Sequence, residues 1–281
     1  MKAQSELSIT NLLALVKTEY RKFRKNTVVQ LLLGTFILFA PLVILLGKRL
    51  FKYAPPPFPS PLSLMELPMV WDYQGYVNQH LIYVLLGYLV IYTVTNEIAN
   101  KTMRQNIITG YTKREYFLAK LSTIVVISLF ATALYYLSCI VIGVIHTDGV
   151  ELSLLMDNSW LGLRYFLCCL GFMTFALFVA LLVRRGGLAI FLYFGYIVVI
   201  EQMLRGLFIY ITKDPEASRW FPMNVYEDLL PNPMMKLSGM FKMFDRDVNL
   251  ILPYGQTMIA STFLIVIFTS LAWFIFKRRD V

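Results

Sequence analysis

Six long apolar stretches constrain this chain more than anything else in it: residues 27–47, 79–95, 121–145, 160–183, 187–210 and 254–276. At about 1.5 Å of rise per helical residue, runs of this length match the roughly 30 Å hydrocarbon core of a bilayer. Four of them contain no Asp, Glu, Lys or Arg; the other two carry only Arg164, and Glu201 with Arg205. The composition leaves no soluble alternative. Apolar residues make up 58% and charged residues 15%, against about 45–50% and 25% for a water-soluble domain. Too few polar side chains remain to cover a wetted surface, so the expectation is an all-α membrane protein with six transmembrane helices. The first run follows a long basic segment and no small-residue cleavage site comes after it, so it does not read as a signal peptide.

The formal charge of +9 would suit a nucleic-acid binder if it were clustered on one soluble face. It is distributed by topology instead. With both termini placed in the cytoplasm, sixteen of the 26 Lys and Arg residues fall in inner segments and eight in the longer outer ones. That is the positive-inside bias, and no nucleic-acid partner is expected. Cys139, Cys168 and Cys169 lie inside apolar runs without metal-ligand spacing.

Residues 1–26 form a first unit. Ile9, Leu12, Leu13, Val16, Tyr20 and Phe23 recur at helical spacing, with Lys17, Arg21, Lys22, Arg24 and Lys25 between them. This predicts an amphipathic helix on the inner leaflet, each basic residue adding about 1 kcal/mol against anionic lipid, or more simply a topology anchor. Residues 27–281 form the transmembrane domain. Its first outer loop is proline-rich, with Pro55, Pro56, Pro57, Pro59 and Pro61, and reads as extended. The long outer segment 211–253 includes an apolar stretch, 234–244, expected to lie as a short helix in the outer interface. Its methionines Met234, Met235, Met240 and Met243 read as apolar filler and not as a copper site.

Catalytic motifs are missing from the sequence. It has no G-x-x-x-x-G-K-[ST], no G-x-S-x-G and no H-E-x-x-H, and its two histidines, His80 and His146, fall at outer ends of spans. No catalytic residue, bound metal or cofactor of the chain's own is expected. Glu201 and Arg205 lie one turn apart near the outer end of the fifth run. They suit either a gating role or a self-neutralising, snorkelling pair.

The most informative segment is 96–120. An inner loop needs only a few residues, whereas this one places Met103, Ile107 and Ile108 at amphipathic spacing, breaks at Gly110, and restarts at Thr112 with Glu115 three residues on, a capping box. The expectation is a helix, a glycine break and a second helix, both along the inner surface and presenting basic and apolar groups to a cytoplasmic partner.

In layout the whole chain resembles the permease subunits of type-2 ABC transporters. The resemblance rests on short motifs: the connecting helix Leu15-Val16-Lys17-Thr18-Glu19-Tyr20-Arg21-Lys22; the acid Glu97 at the end of the second span; Lys101-Thr102, Gly110, Lys113-Arg114 and Lys120 ahead of the third; and Trp220-Phe221-Pro222 after the fifth. Lys101 departs from the pattern, standing where a glycine or another residue commonly precedes the Thr. The resemblance implies a multi-pass subunit of a bacterial inner membrane. Paired with a second copy or a paralogue, it would form an export pathway driven by a separate soluble ATPase that binds ATP and Mg. Glu97, Lys101, Thr102, Arg104, Gly110, Lys113, Arg114 and Lys120 would then couple to the ATPase, and Glu19, Arg21 and Lys22 would belong to the interfacial helix beside membrane lipids. Tyr83, Tyr88, Tyr92, Phe191, Tyr193 and Tyr196, with Glu201 and Arg205, would line or gate the path. Two other classes stay open: a secondary transporter, which would show inverted repeats and ion-coupling acids in its spans, and a non-transporting anchor or immunity subunit.

Overall fold

The computed structural model describes residues 9–50, 63–108, 110–233 and 251–279. The proline-rich stretch 55–61 and the segment 234–244 lie outside the described residues. Among those described there is no strand, and six helices are long and apolar enough to cross a membrane. Helix α1 (Ile9–Arg24) turns into α2 (Thr27–Leu50) at Asn26, whose side-chain oxygen accepts from the Val28 and Val29 amides at 3.0 and 3.3 Å. That is an N-cap, and it fixes the corner between the two helices.

The second spanning helix, α3 (Met69–Ala99), starts well before the apolar run at 79. Its first turns carry Asp72, Gln74, Asn78 and Gln79, all buried within the bundle. Hydropathy reads them as a wet loop because it cannot see that they face protein; the Gln74 amide, for example, donates to the Ala40 carbonyl of α2. Glu201 is therefore not the only acid within a spanning helix. A π-helical turn, Ile82–Gly87, interrupts α3, and a second one, Gly195–Ile200, interrupts α8 (Gly186–Thr212).

Between α3 and the third span lies α4 (Thr102–Ile108). The capping box at Thr112 is present: the Thr112 hydroxyl accepts from the Glu115 amide at 3.2 Å, and Glu115 accepts from the Thr112 amide at 2.8 Å. The helix it opens is not a second surface helix. α5 runs unbroken from Lys113 to His146, because no Pro or Gly intervenes until Gly143 and the polar residues 113–120 continue the same helical register.

A short helix α6 (Leu152–Met156) leads into α7 (Leu161–Val183), the most enclosed of the spans. Close approach needs small residues here: a Cβ on Gly171 would sit 2.5 Å from the Tyr226 ring. Arg164 in α7 is fully buried. It donates to the Asp228 carbonyl at 3.1 Å, and its guanidinium lies 3.9 Å and 5.0 Å from the ring centroids of Tyr254 and Trp160. After α8 the chain folds back. A 3₁₀ turn at Ala217–Trp220 precedes α9 (Pro222–Glu227), and Tyr226 packs on Phe172 with centroids 5.5 Å apart. Phe172 is eleven residues into α7, about 16 Å along its axis. The first part of segment 211–253 thus dips into the bundle. The final span, α10 (Tyr254–Arg278), packs along α7.

Candidate functional site

At one end of the bundle α1, α3 and α5 converge on four charges. Helical spacing puts Glu19 and Lys22 on one face of α1, places Glu97 in the last turn of α3, and sets Tyr116 and Lys120 one turn apart on α5. Lys120 donates to Glu19 at 2.5 Å and to Glu97 at 2.8 Å; Lys22 donates to the same two carboxylates at 2.6 and 3.0 Å. The Tyr116 hydroxyl donates to the second Glu97 oxygen at 2.6 Å. The Lys120 and Glu19 side chains retain only 5% and 4% of their exposure, while Lys22 keeps 34%. Burial alone would lower the Lys22 pKa, but the Glu97 and Glu19 carboxylates outweigh it and hold the ammonium above the ordinary lysine value. Two cations and two anions balance, so the cluster survives burial as a unit. Such a unit adds little over apolar packing, yet it is costly to break by removing one member.

Sequence reasoning assigned Glu97 and Lys120 to coupling and Glu19 and Lys22 to a surface helix, and the fold joins them in one site. It missed Tyr116, whose position one turn before Lys120 was the available signal. The other segment residues divide. Thr102 donates to the Glu97 carbonyl at 3.2 Å, and Lys101 adopts φ 57°, taking the left-handed conformation that glycine would serve. Gly110 has φ 124°, which side chains rarely adopt. Arg104 and Arg114 are exposed, as is Arg21 on α1, and Ile108 is 74% exposed. Lys113 differs from its neighbour Arg114. Its ammonium donates to the Arg279 and Lys277 carbonyls at 2.9 and 3.3 Å, capping the C-terminal end of α10. A cleft of about 310 Å³ opens beside the charges, with Asn26, Asn96, Asn100 and Asn106 on its walls.

At the opposite end Glu201 makes no direct ion-pair contact with Arg205, whose charge still acts on it through space. Its two oxygens accept from the Met223 and Asn224 amides at 3.0 and 2.8 Å, holding the start of α9. Asp228 accepts from the Asn224 side-chain amide at 3.1 Å and from the Leu252 amide at 3.0 Å. Burial and then the Glu201 charge push the Glu227 carboxyl up to about 7, with Arg205 opposing; burial raises Asp228 to about 6. Tyr76 and Tyr83 of α3 also face Glu227. Both carboxyls bind protons more tightly folded than in an unfolded chain, where they titrate near about 4. Their contribution to stability is complete below about pH 4 and is lost as pH rises through 6 to 7. Thermal unfolding in detergent is expected at a higher temperature at pH 5 than at pH 8, and Glu227→Gln should shrink that difference. An unchanged pH profile in Glu227→Gln would refute the assignment.

The aromatic candidates divide, Tyr83, Tyr193 and Tyr196 packing on α7 and the others elsewhere. Tyr83 packs on Phe172 at 5.5 Å and Tyr196 on Phe175 at 5.4 Å. Tyr88 and Tyr92 stack at 6.3 Å, and the Tyr92 hydroxyl lies 3.4 Å from the Asn26 side chain. Tyr193 is fully buried, whereas Phe191 is exposed. Among the described residues no group of three His, Cys, Asp or Glu side chains is placed to hold a metal.

A comparison with curated proteins gives no match. The family model described as ABC-2 family transporter protein matches residues 15–200, a range that begins within α1, contains all four members of the charge cluster and stops at the π turn of α8. With six membrane-length helices and that match, the chain belongs to the ABC-2 family of transporter proteins and is a multi-pass membrane protein.

Proposed function

We propose that this chain is the permease subunit of an ABC exporter in a bacterial inner membrane. It pairs with a second copy or a paralogue to enclose the path, and a separate soluble ATPase that binds ATP and Mg drives it. The observation that carries this reading is the Glu19–Lys22–Glu97–Lys120 cluster. It ties α1 and the inner ends of α3 and α5 together beside an exposed helix, α4, whose Arg104 and Ile108 face outward. A push on α4 or α1 moves both spans as one body, because parting any member of the cluster costs several kcal/mol. Glu97 stands at the joint: its carbonyl receives Thr102 of α4 and its carboxylate receives α1 and α5. Residues 1–26 serve as the connecting unit and 27–281 as the transmembrane domain, with both termini cytoplasmic.

The purified chain is expected to hydrolyse no ATP, yet to co-purify with a co-expressed soluble ABC ATPase subunit. Arg104→Glu with Arg114→Glu reverses two exposed charges at the docking face, and like-charge contacts at an interface cost several kcal/mol. Recovery of the ATPase should fall at least tenfold while the permease remains folded. Full recovery would show that α4 is not the docking element. For orientation, Thr112→Cys and Arg185→Cys should resist an impermeant maleimide in intact cells, and Val150→Cys and Lys213→Cys should react. All four positions are exposed and the native cysteines are buried, so labelling of Thr112→Cys from outside would invert the topology.

A further inference from the structure

A second concavity, of about 480 Å³, shares Phe23 of α1 with the open cleft and is walled by three helices. α1 contributes Lys17, Tyr20 and Phe23, α2 contributes Leu33 and Ile37, and α5 contributes a strip from Thr123 to Phe130. The volume falls within the range of about 300–1,000 Å³ typical of small-molecule sites, and its lining is almost wholly apolar below the level of Lys17. On α5 the lining runs from Thr123 to Phe130, a rise of seven residues or about 10 Å, a third of the roughly 30 Å hydrocarbon core. The groove therefore fits within one leaflet.

Charge selects the occupant. Lys17 stands exposed at the groove mouth and makes no ion pair among the described residues. Glu19 also lines the groove, but both of its oxygens are engaged by Lys22 and Lys120. The net charge presented at the mouth is positive, and Arg24, two turns along α1 on the edge that carries Lys17, is exposed as well. We propose that this groove is a binding site for one anionic phospholipid, with an acyl chain between α2 and α5 and the phosphate against Lys17. A lipid against a single exposed helix would touch that helix alone. Here it touches three, and it shares Glu19 with the inner charge cluster, so the bound lipid braces α1 against the spans. The site is independent of the permease assignment.

The test uses the full chain purified in detergent, stripped of lipid and titrated separately with phosphatidylglycerol and with phosphatidylcholine of the same acyl chains. Bound lipid is counted by native mass spectrometry and thermal stability is followed in parallel. Wild type should bind one phosphatidylglycerol about fivefold more tightly than phosphatidylcholine, the ratio that one lysine at an anionic surface is worth. Lys17→Gln should retain phosphatidylcholine binding and lose the preference. Val126→Trp, which fills the groove from α5, should lose the site for both lipids. Equal affinity for the two lipids in wild type, an undiminished preference in Lys17→Gln, or full occupancy in a folded Val126→Trp would each overturn the proposal. Lys17→Gln alters only an exposed side chain, so the test stands even if Val126→Trp does not fold.

Discussion

Lys120→Met should lower the stability of the folded bundle by about 3–5 kcal/mol, the usual cost of breaking a buried ion pair by removing one partner. Methionine preserves the volume, so packing is nearly constant and the loss is electrostatic. Glu19, with 4% of its side chain exposed, would lose its 2.5 Å partner, and Glu97 its 2.8 Å partner. Lys22 alone would then face two carboxylates from a position that is 34% exposed. Adding Glu19→Gln to Lys120→Met restores one cation to one anion and should recover more than half of the loss. Unfolding in denaturing detergent, monitored by circular dichroism, gives both numbers. A single-variant loss under about 1 kcal/mol would place these charges in the weak class of solvated surface pairs.

Glu201→Ala is expected to release the inward-folded start of the outer segment without unfolding the spans. The substitution leaves the Met223 and Asn224 amides as buried donors with no acceptor, at about 1–3 kcal/mol each. α9 is only six residues long, too short to hold its shape alone, so its position depends on that carboxylate and on the packing of Tyr226. A reporter is available at Val225, which is 1% exposed. Val225→Cys should stay silent to an impermeant maleimide in the parent and become labelled rapidly in Glu201→Ala. Glu201→Gln keeps one acceptor oxygen and should fall between the two. If Val225→Cys is equally silent in all three backgrounds, the carboxylate is not what holds α9.

Several of these features were legible in residues alone. The six apolar runs became six membrane-length helices because their length matches a bilayer and nothing else accommodates so much apolar surface. Thr112 and Glu115 formed their capping box because that interaction is local in sequence. What hydropathy concealed was polar chemistry turned inward. Asp72, Gln74 and Asn78 look like loop residues until α2, α5 and α7 enclose them, and the start of α3 was hidden with them. Long-range pairing was concealed too. Lys120 and Glu19 are 101 residues apart, so the basic residues of α1 could be read as a topology signal, while the use of Lys22 as a tie between helices could not. Glu201 and Arg205 illustrate the opposite error. Their i, i+4 spacing invites a pair, but the amides of a chain segment that folds back compete for the carboxylate and take it.

Arg164 carries a consequence for biosynthesis. Ribosomes deliver a chain from its N-terminus, and the Asp228 carbonyl that receives this guanidinium is made 64 residues later; Tyr254, stacked against it, comes later still. When α7 first enters the bilayer, only Trp160 and the earlier helices exist to shelter the charge. A central arginine opposes insertion by about 2.5–3.5 kcal/mol, and the placement of Arg164 in the first turn of α7 reduces that burden by leaving it near an interface. The same helix has the highest mean hydropathy of the six, so its leucines and phenylalanines carry the arginine in ahead of its partners. Polar replacements along α7 should therefore fail during synthesis, as chains that never insert, before any defect in the finished bundle could be measured.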